Sequence, residues 1–221
     1  MFLLLLCACA GSLGQSVHAS FHEAVSSGAA PVVHVDNVAG EVRIAPWSRA
    51  VVDIDATKYG ADEAELNKVR IDVHRQGNAI FIATSYAAMV RNGGVRYRIS
   101  VPLGASVQIA NTAGSVTIGA IGGDVGTDTQ AGSVDARLGR VDGHRSIDLY
   151  ATTGTITLRI ARDSSATVHA QSNIGSFVTD FSTVTQTRRN FVGVTADRRI
   201  GAGAAAIRLS TTTGSLSLEA Q

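Results

Sequence analysis

Cysteine is nearly missing from this 221-residue chain: Cys7 and Cys9 are the only two, both in the first nine residues. A chain trimmed behind them carries no disulfide and no thiol chemistry, which excludes a cysteine nucleophile. Lysine is scarce as well, present only as Lys58 and Lys68, so the remaining cations are arginines. Net charge is all but absent, with 19 Lys and Arg against 18 Asp and Glu, a balance of +1. Such a balance argues against bulk electrostatic binding to nucleic acid or anionic membrane. What remains is 45% hydrophobic and 17% charged, the composition of a globular chain and not of a disordered one. The length suits one large all-β domain or two small domains with a buried core.

The first nineteen residues read as an export signal. "FLLLLCACA" is an apolar run too short to span a bilayer, and no other segment approaches spanning length. "VHA" at Val17 to Ala19 offers small residues where signal peptidase inspects them, which predicts cleavage between Ala19 and Ser20. One feature departs from the pattern: no Lys or Arg precedes the apolar run. "LCAC" loosely resembles a bacterial lipobox that would place a lipid on Cys9, and cleavage after Ala19 is the preferred of the two readings.

Behind the signal lies a repeat. Gly40, Gly114, Gly132, Gly154, Gly175 and Gly214 are each followed, two residues on, by Val42, Val116, Val134, Ile156, Phe177 or Leu216. Seven residues before them stand Val33, Val107, Val125, Ile147, Val168 and Ile207. Positions five before and four after are apolar in most copies. Period-two apolar residues on both sides of a fixed glycine mean two short strands, each with one buried face. The glycine itself suggests a position with φ > 0 or a backbone close to its neighbour.

Spacings of 18, 22 and 21 residues separate Gly114, Gly132, Gly154 and Gly175, and 39 residues, about two periods, separate Gly175 from Gly214. Units of this period cannot bury a face alone and must stack. The expected fold is therefore all-β, with stacked strand–Gly–strand repeats of 18–22 residues forming a β-solenoid. Whether each unit is a solenoid corner or a hairpin is left open by the pattern. Residues 20–30 read as an N-terminal linker and 31–221 as one β-repeat domain, irregular at about 50–104. "ADEAELNKV" is the only helix-like stretch behind the signal, and residues 181–203 fill the place of one degenerate or elaborated copy.

"VVHVDNVAGEVRIAPWSRAVVDIDA", "YRISVPLGASVQIANTAGSVTIGAIGGDV" and "GAGAAAIRLSTTTGSLSLEA" resemble a family of bacterial exported β-strand-repeat proteins, the adhesin-like DUF4097 family related to the toastrack domains. The resemblance runs over about residues 31–219. It implies the architecture and an envelope role, and it brings no catalytic or binding residues with it.

Chemistry-bearing motifs are sparse. "GAGAAA" at Gly201 to Ala206 matches a dinucleotide fingerprint, but a strand–Gly–strand unit follows where that motif needs a helix. "GGDVGTD" at Gly122 to Asp128 nearly matches a calcium nonapeptide and occurs once, so Asp124 and Asp128 read as turn carboxylates. His22, His34, His74, His144 and His169 are scattered without metal-ligand spacing, so no metal or other cofactor is expected. Asp124, Asp128, Asp142 and Asp148 could supply a carboxylate pair for glycan hydrolysis, yet acidic residues are the usual outward members of alternating strands. Arg188, Arg189, Arg198 and Arg199 are the most concentrated charge and the candidate interaction patch; a solvated loop is the preferred reading. Thr127 and Thr129, like the other Thr-x-Thr pairs, read as ordinary strand residues.

Together these point to an exported, non-enzymatic interaction protein of the periplasm or cell surface, with a glycan or an envelope protein as partner. The alternatives are a periplasmic stress-sensing module acting through protein partners and, third, a polysaccharide-acting enzyme.

Overall fold

In a computed structural model, residues 16–90, 92–182, 184–189 and 192–221 are described. Among them the chain is all-β. In order it forms β1 (Val17–Ser26), β2 (Val32–Ala39), β3 (Val42–Trp47), β4 (Val51–Gly60), α1 (Glu63–Asn67), β5 (Val69–Gln76), β6 (Ala79–Tyr86) and β7 (Gly94–Pro102). There follow β8 (Ser106–Ala113), β9 (Val116–Ile118), β10 (Val125–Gly139), β11 (Ser146–Ile160), β12 (Ala166–Thr179), β13 (Val184–Arg189), β14 (Val194–Ile200) and β15 (Ala205–Ala220).

Each repeat glycine marks a corner, not the tip of a hairpin. In β10 the buried side chains are Val125, Thr127 and Thr129 before Gly132, but Val134, Ala136 and Leu138 after it. A straight strand keeps one parity on one face, so the change from odd to even means that the chain turns over at the glycine. Both arms of each unit thereby face a single core that runs from Val33 to Leu218. Neighbouring units pair in parallel with glycine beside glycine, as in Gly132↔Gly154, Gly154↔Gly214 and Gly175↔Gly214. The spatial order along this spine is 40, 114, 132, 154, 214, 175, each glycine packed on the carbonyl of the one before it. All six have φ between 124° and 150°.

Two expectations are corrected. Residues 181–203 are not a degenerate copy: β13 and β14 form an antiparallel hairpin, and β14 runs antiparallel to the upstream arm of β12, from Ala166↔Ile200 to Ser172↔Val194. β14 alternates without a change of parity, burying Val194, Ala196, Arg198 and Ile200, so it continues a flat arm and makes no corner. The last repeat, β15, then slots between β11 and β12 instead of following at the end. The second correction concerns the linker at 20–30. Residues 20–26 belong to β1, which pairs antiparallel with β4 from Val17↔Gly60 to Ser26↔Val51. Phe21 and Val25, at period two, pack on the core and hold that strand down.

The irregular stretch closes one end of the stack. β4 and β7 extend the downstream arms and β5 and β6 the upstream arms. The helix-like segment is a single five-residue helix, α1, capped by Asp62, whose carboxylate accepts from the Glu65 N–H at 2.8 Å.

A file of residues, polar in all but one strand, crosses the interior three residues before the spine glycines. Asn37, Asn111, Thr129, Ala151, Thr211 and Ser172 are side by side in consecutive strands, all buried. At one end Asn37 donates to Asn111 Oδ1 at 3.1 Å and accepts from Thr84 Oγ1 at 3.2 Å. Thr84 also bonds the Tyr97 hydroxyl at 2.7 Å. Burial pushes the Tyr97 phenol up from 10.0 to about 12. Between pH 10 and 12 the unfolded chain releases this proton while the folded chain keeps it, so stability falls as pH rises through that window. About 2 kcal/mol should be lost by its upper end, on about 1.36 kcal/mol per pKa unit. Denaturant unfolding at a series of alkaline pH values is expected to show this slope in the wild type and a clearly shallower one in Tyr97→Phe. Equal slopes in the two proteins would remove Tyr97 as its source.

Candidate functional site

Outward residues of the upstream arms line up as inward ones do, because parallel strands in register place equivalent positions side by side. Six residues before each spine glycine the row reads His34, Gln108, Gly126, Asp148, Arg208 and His169 in spatial order. β6 and β5 extend it with Phe81 and His74. Four residues before each glycine a second row reads Asp36, Ala110, Asp128 and Tyr150, extended by Ala83 and Asp72.

Between β5 and β11 these rows border a groove of about 620 Å³. Its floor is low because Ala83, Ala110 and Gly126 present almost no side chain. One wall is aromatic: Phe81 is sandwiched between His34, at 4.7 Å and 8° between planes, and His74, at 4.9 Å and 10°. Phe81 has both faces covered, which leaves the second face of His34 turned along the sheet toward β8. The opposite wall is Tyr150 on β11. Its phenol lies near the Thr152 and Thr212 hydroxyls at 3.5 and 3.4 Å, and these hydrogen bonds bring it below the usual tyrosine range.

Asp36, Asp128 and Asp148 line the same groove, and none of the three has an ion-pair partner among the described residues. Gln108 leans across Gly126, so that a Cβ added there would sit 2.7 Å from Gln108 Cδ. The groove thus offers a flat imidazole face, carboxylates and an amide as hydrogen-bonding groups, and a shallow floor. Among the described residues no three His, Cys, Asp or Glu side chains gather as metal ligands.

The residues singled out in the sequence fall in different places. Asp128 and Asp148 come together in the groove. Asp124 instead accepts the Ser146 N–H at 2.8 Å and ties down the start of β11, and Asp142 pairs with Arg140 at 3.1 Å. Of the histidines, His34 and His74 join the groove. His169 pairs with Asp197 at 2.6 Å and His22 with Asp53 at 3.0 Å. "GAGAAA" is the turn from β14 into β15, with Gly201 at φ 55° and Gly203 at φ 75°.

The arginine patch is corrected. Arg198 is only 9% exposed and points inward, its guanidinium 5.8 Å from the centre of the Phe177 ring. Arg199, its neighbour in sequence, points outward, since successive strand residues alternate faces. Arg189 pairs with Val194, four residues along β14 from Arg198, or about 13 Å at strand rise. Arg198 and Arg199 therefore do not share one surface. Ala19 and Ser20 lie within β1, opposite Lys58 and Thr57. Cys9 and residues 1–15 lie outside the described residues.

Among solved structures, a "putative cell adhesion protein" from Clostridium sporogenes ATCC 15579 aligns with 94% of this chain and 100% of its own, at 8% identity and a TM-score of 0.65. The two chains share a fold. A "putative adhesin" from Bacteroides fragilis NCTC 9343 covers 90% of this chain and 97% of its own, at 11% identity and a TM-score of 0.36. Another from Parabacteroides merdae ATCC 43184 covers 92% and 96%, at 11% identity and a TM-score of 0.33. The sequence matches no protein-family model and no curated protein. No helix among the described residues is long and apolar enough to cross a membrane.

Proposed function

We propose that this chain is an exported, envelope-associated interaction protein of the adhesin-like DUF4097 class, which holds its ligand in the groove between β5 and β11 and carries out no catalysis. In this reading the stacked units are a short β-solenoid, and the stack exists to hold a wide outward sheet rigid. The observation that carries the proposal is the groove: a concave site with an aromatic wall and a few convergent polar groups is what a ligand site requires. The likeness in fold to a protein described as acting in cell adhesion supports it. The near-neutral charge supports a glycan or protein partner over nucleic acid. Export follows from the apolar leader, with cleavage between Ala19 and Ser20 or, as the alternative, a lipid on Cys9.

Protease shaving of intact cells beside lysed cells tests this reading. Loss of the protein from intact cells is the expected result and makes it surface-displayed. Loss only after lysis removes adhesion and leaves a periplasmic module acting through envelope partners.

A further inference from the structure

Resting on the reading of the groove as a ligand site, we infer that it binds non-anionic glycans, with a sugar ring set against the free face of His34 and hydroxyls donated to Asp36, Asp128 and Asp148. Four features of the groove converge on that ligand. Its length comes first. From β6 to β11 it crosses four strand-to-strand intervals, about 19 Å at 4.8 Å each, which suits a short oligosaccharide better than one sugar.

The second feature is the wall. An aromatic face is flat, apolar and electron-rich, and it suits the row of C–H groups on one side of a pyranose. His34 presents such a face because its other side is already stacked on Phe81. The third is the set of acceptors. Ionised carboxylates only accept hydrogen bonds, and each can take two donors side by side. Three of them without ion-pair partners, together with the Gln108 amide and the Tyr150 hydroxyl, match a ligand rich in hydroxyl donors. An extended peptide would instead need backbone edges, and every strand here from β6 to β11 is paired on both sides.

The fourth feature is charge. Asp36, Asp128 and Asp148 make the groove repel uronates and other acidic sugars. Arg208, beside Asp148 in the next strand, is the nearest cation by register, and the imidazoles of His34 and His74, the Tyr150 phenol and Asp72 complete the titratable groups around the site. Neutral and amine-bearing sugars are the charges that fit.

Gly126 supplies a clean probe. It carries no positive φ, and the three atoms nearest an added Cβ all belong to the movable end of the Gln108 side chain. Gly126→Val therefore raises the floor between Asp128 and Asp148 at no backbone cost, with a residue that favours strands.

The experiment is calorimetric titration of the purified protein with cellotetraose, the tetramers of N-acetylglucosamine and glucosamine, tetragalacturonate and tetralysine. Saturable binding of at least one non-anionic tetramer is expected, with tetragalacturonate and tetralysine at least tenfold weaker. Gly126→Val should lose at least tenfold in affinity for that tetramer while keeping the wild-type melting temperature. Tetragalacturonate bound as tightly as the non-anionic sugars overturns the charge selection. Tetralysine bound as tightly makes the site a cation site and overturns the glycan. Unaltered affinity in Gly126→Val moves the ligand out of the groove and overturns both the inference and the site beneath it. If none of the tetramers binds while shaving still strips the protein from intact cells, the glycan falls and the surface role stands.

Discussion

Gly154→Val is expected to cost more than about 4 kcal/mol and to leave little folded protein, the range in which a single substitution is exceptional and has a specific cause. Two independent terms act at this position. Gly154 has φ 147°, where a β-branched residue is strongly disfavoured, at about 1–3 kcal/mol for the backbone alone. Added to that is a collision: the new Cβ would overlap the Gly132 carbonyl oxygen and stand 2.7 Å from its carbon. Relief by local movement is blocked, because Gly154 is itself the surface on which Gly214 packs and each spine glycine repeats the contact. Opening the gap at one step parts β10 from β11 on both arms. Gly139→Ala is the matched control. Gly139 also has positive φ, 63°, but nothing lies within 4 Å of an added Cβ, so only the backbone term of about 1–2 kcal/mol should appear. Thermal unfolding of both variants checks the argument. For a chain of this size 1 kcal/mol moves the midpoint by about 2–4 °C, so a Gly154→Val protein melting within a few degrees of wild type would refute the spine.

The turn at each glycine and the buried faces beside it were legible in the sequence, because their signals are one-dimensional, a glycine at fixed offset and apolar residues at period two; whether the turn is a corner or a hairpin was not. Val33, Val107, Val125, Ile147, Val168 and Ile207, all seven residues before a spine glycine, are at most 1% exposed. The order of the strands was not legible in the same way. Period says that units stack but not which unit neighbours which, and only the three-dimensional path reveals that β15 enters between β11 and β12. The groove escaped for a related reason. His34, Gln108, Gly126 and Asp148 are unremarkable one at a time, spread over more than a hundred residues; they become a row only when the outward positions of successive units are read side by side. Reading offset six before each glycine, as offset seven was read, would have assembled four of them. Arg198 carried its own warning: Val194, Ala196 and Ile200 share its parity, and a residue in step with a buried row is itself buried.

The interior polar file went unnoticed because the search for a core followed apolar residues, whereas three before each glycine the chain uses Asn, Thr, Ser and Ala. That file makes Asn37→Ala the second substitution with a large expected effect. Asn37 is fully buried and is the one member bonded on both sides, to Asn111 and to Thr84. Removing its amide leaves Asn111 Oδ1 without its donor, beside an Nδ2 that already has no partner. Thr84 keeps only the Tyr97 hydroxyl. A buried polar group stripped of its partner costs about 1–3 kcal/mol, and a side-chain-sized void adds to it, so a loss of about 3–4 kcal/mol is expected. Asn111→Thr should behave differently. It removes the orphaned Nδ2 but also the acceptor of the Asn37 amide, and the threonines at the equivalent positions, Thr129 and Thr211, have no hydrogen-bond partner among the described residues, so a smaller loss of about 1–3 kcal/mol is expected. Equilibrium denaturation of both single variants and of the double variant decides the matter. If the two amides act as a pair, the double variant falls short of the sum of the singles, since the first removal has already broken the bond between them. Strict additivity, or an Asn37→Ala protein as stable as wild type, would mean that the file is tolerated by the fold and does not hold it together.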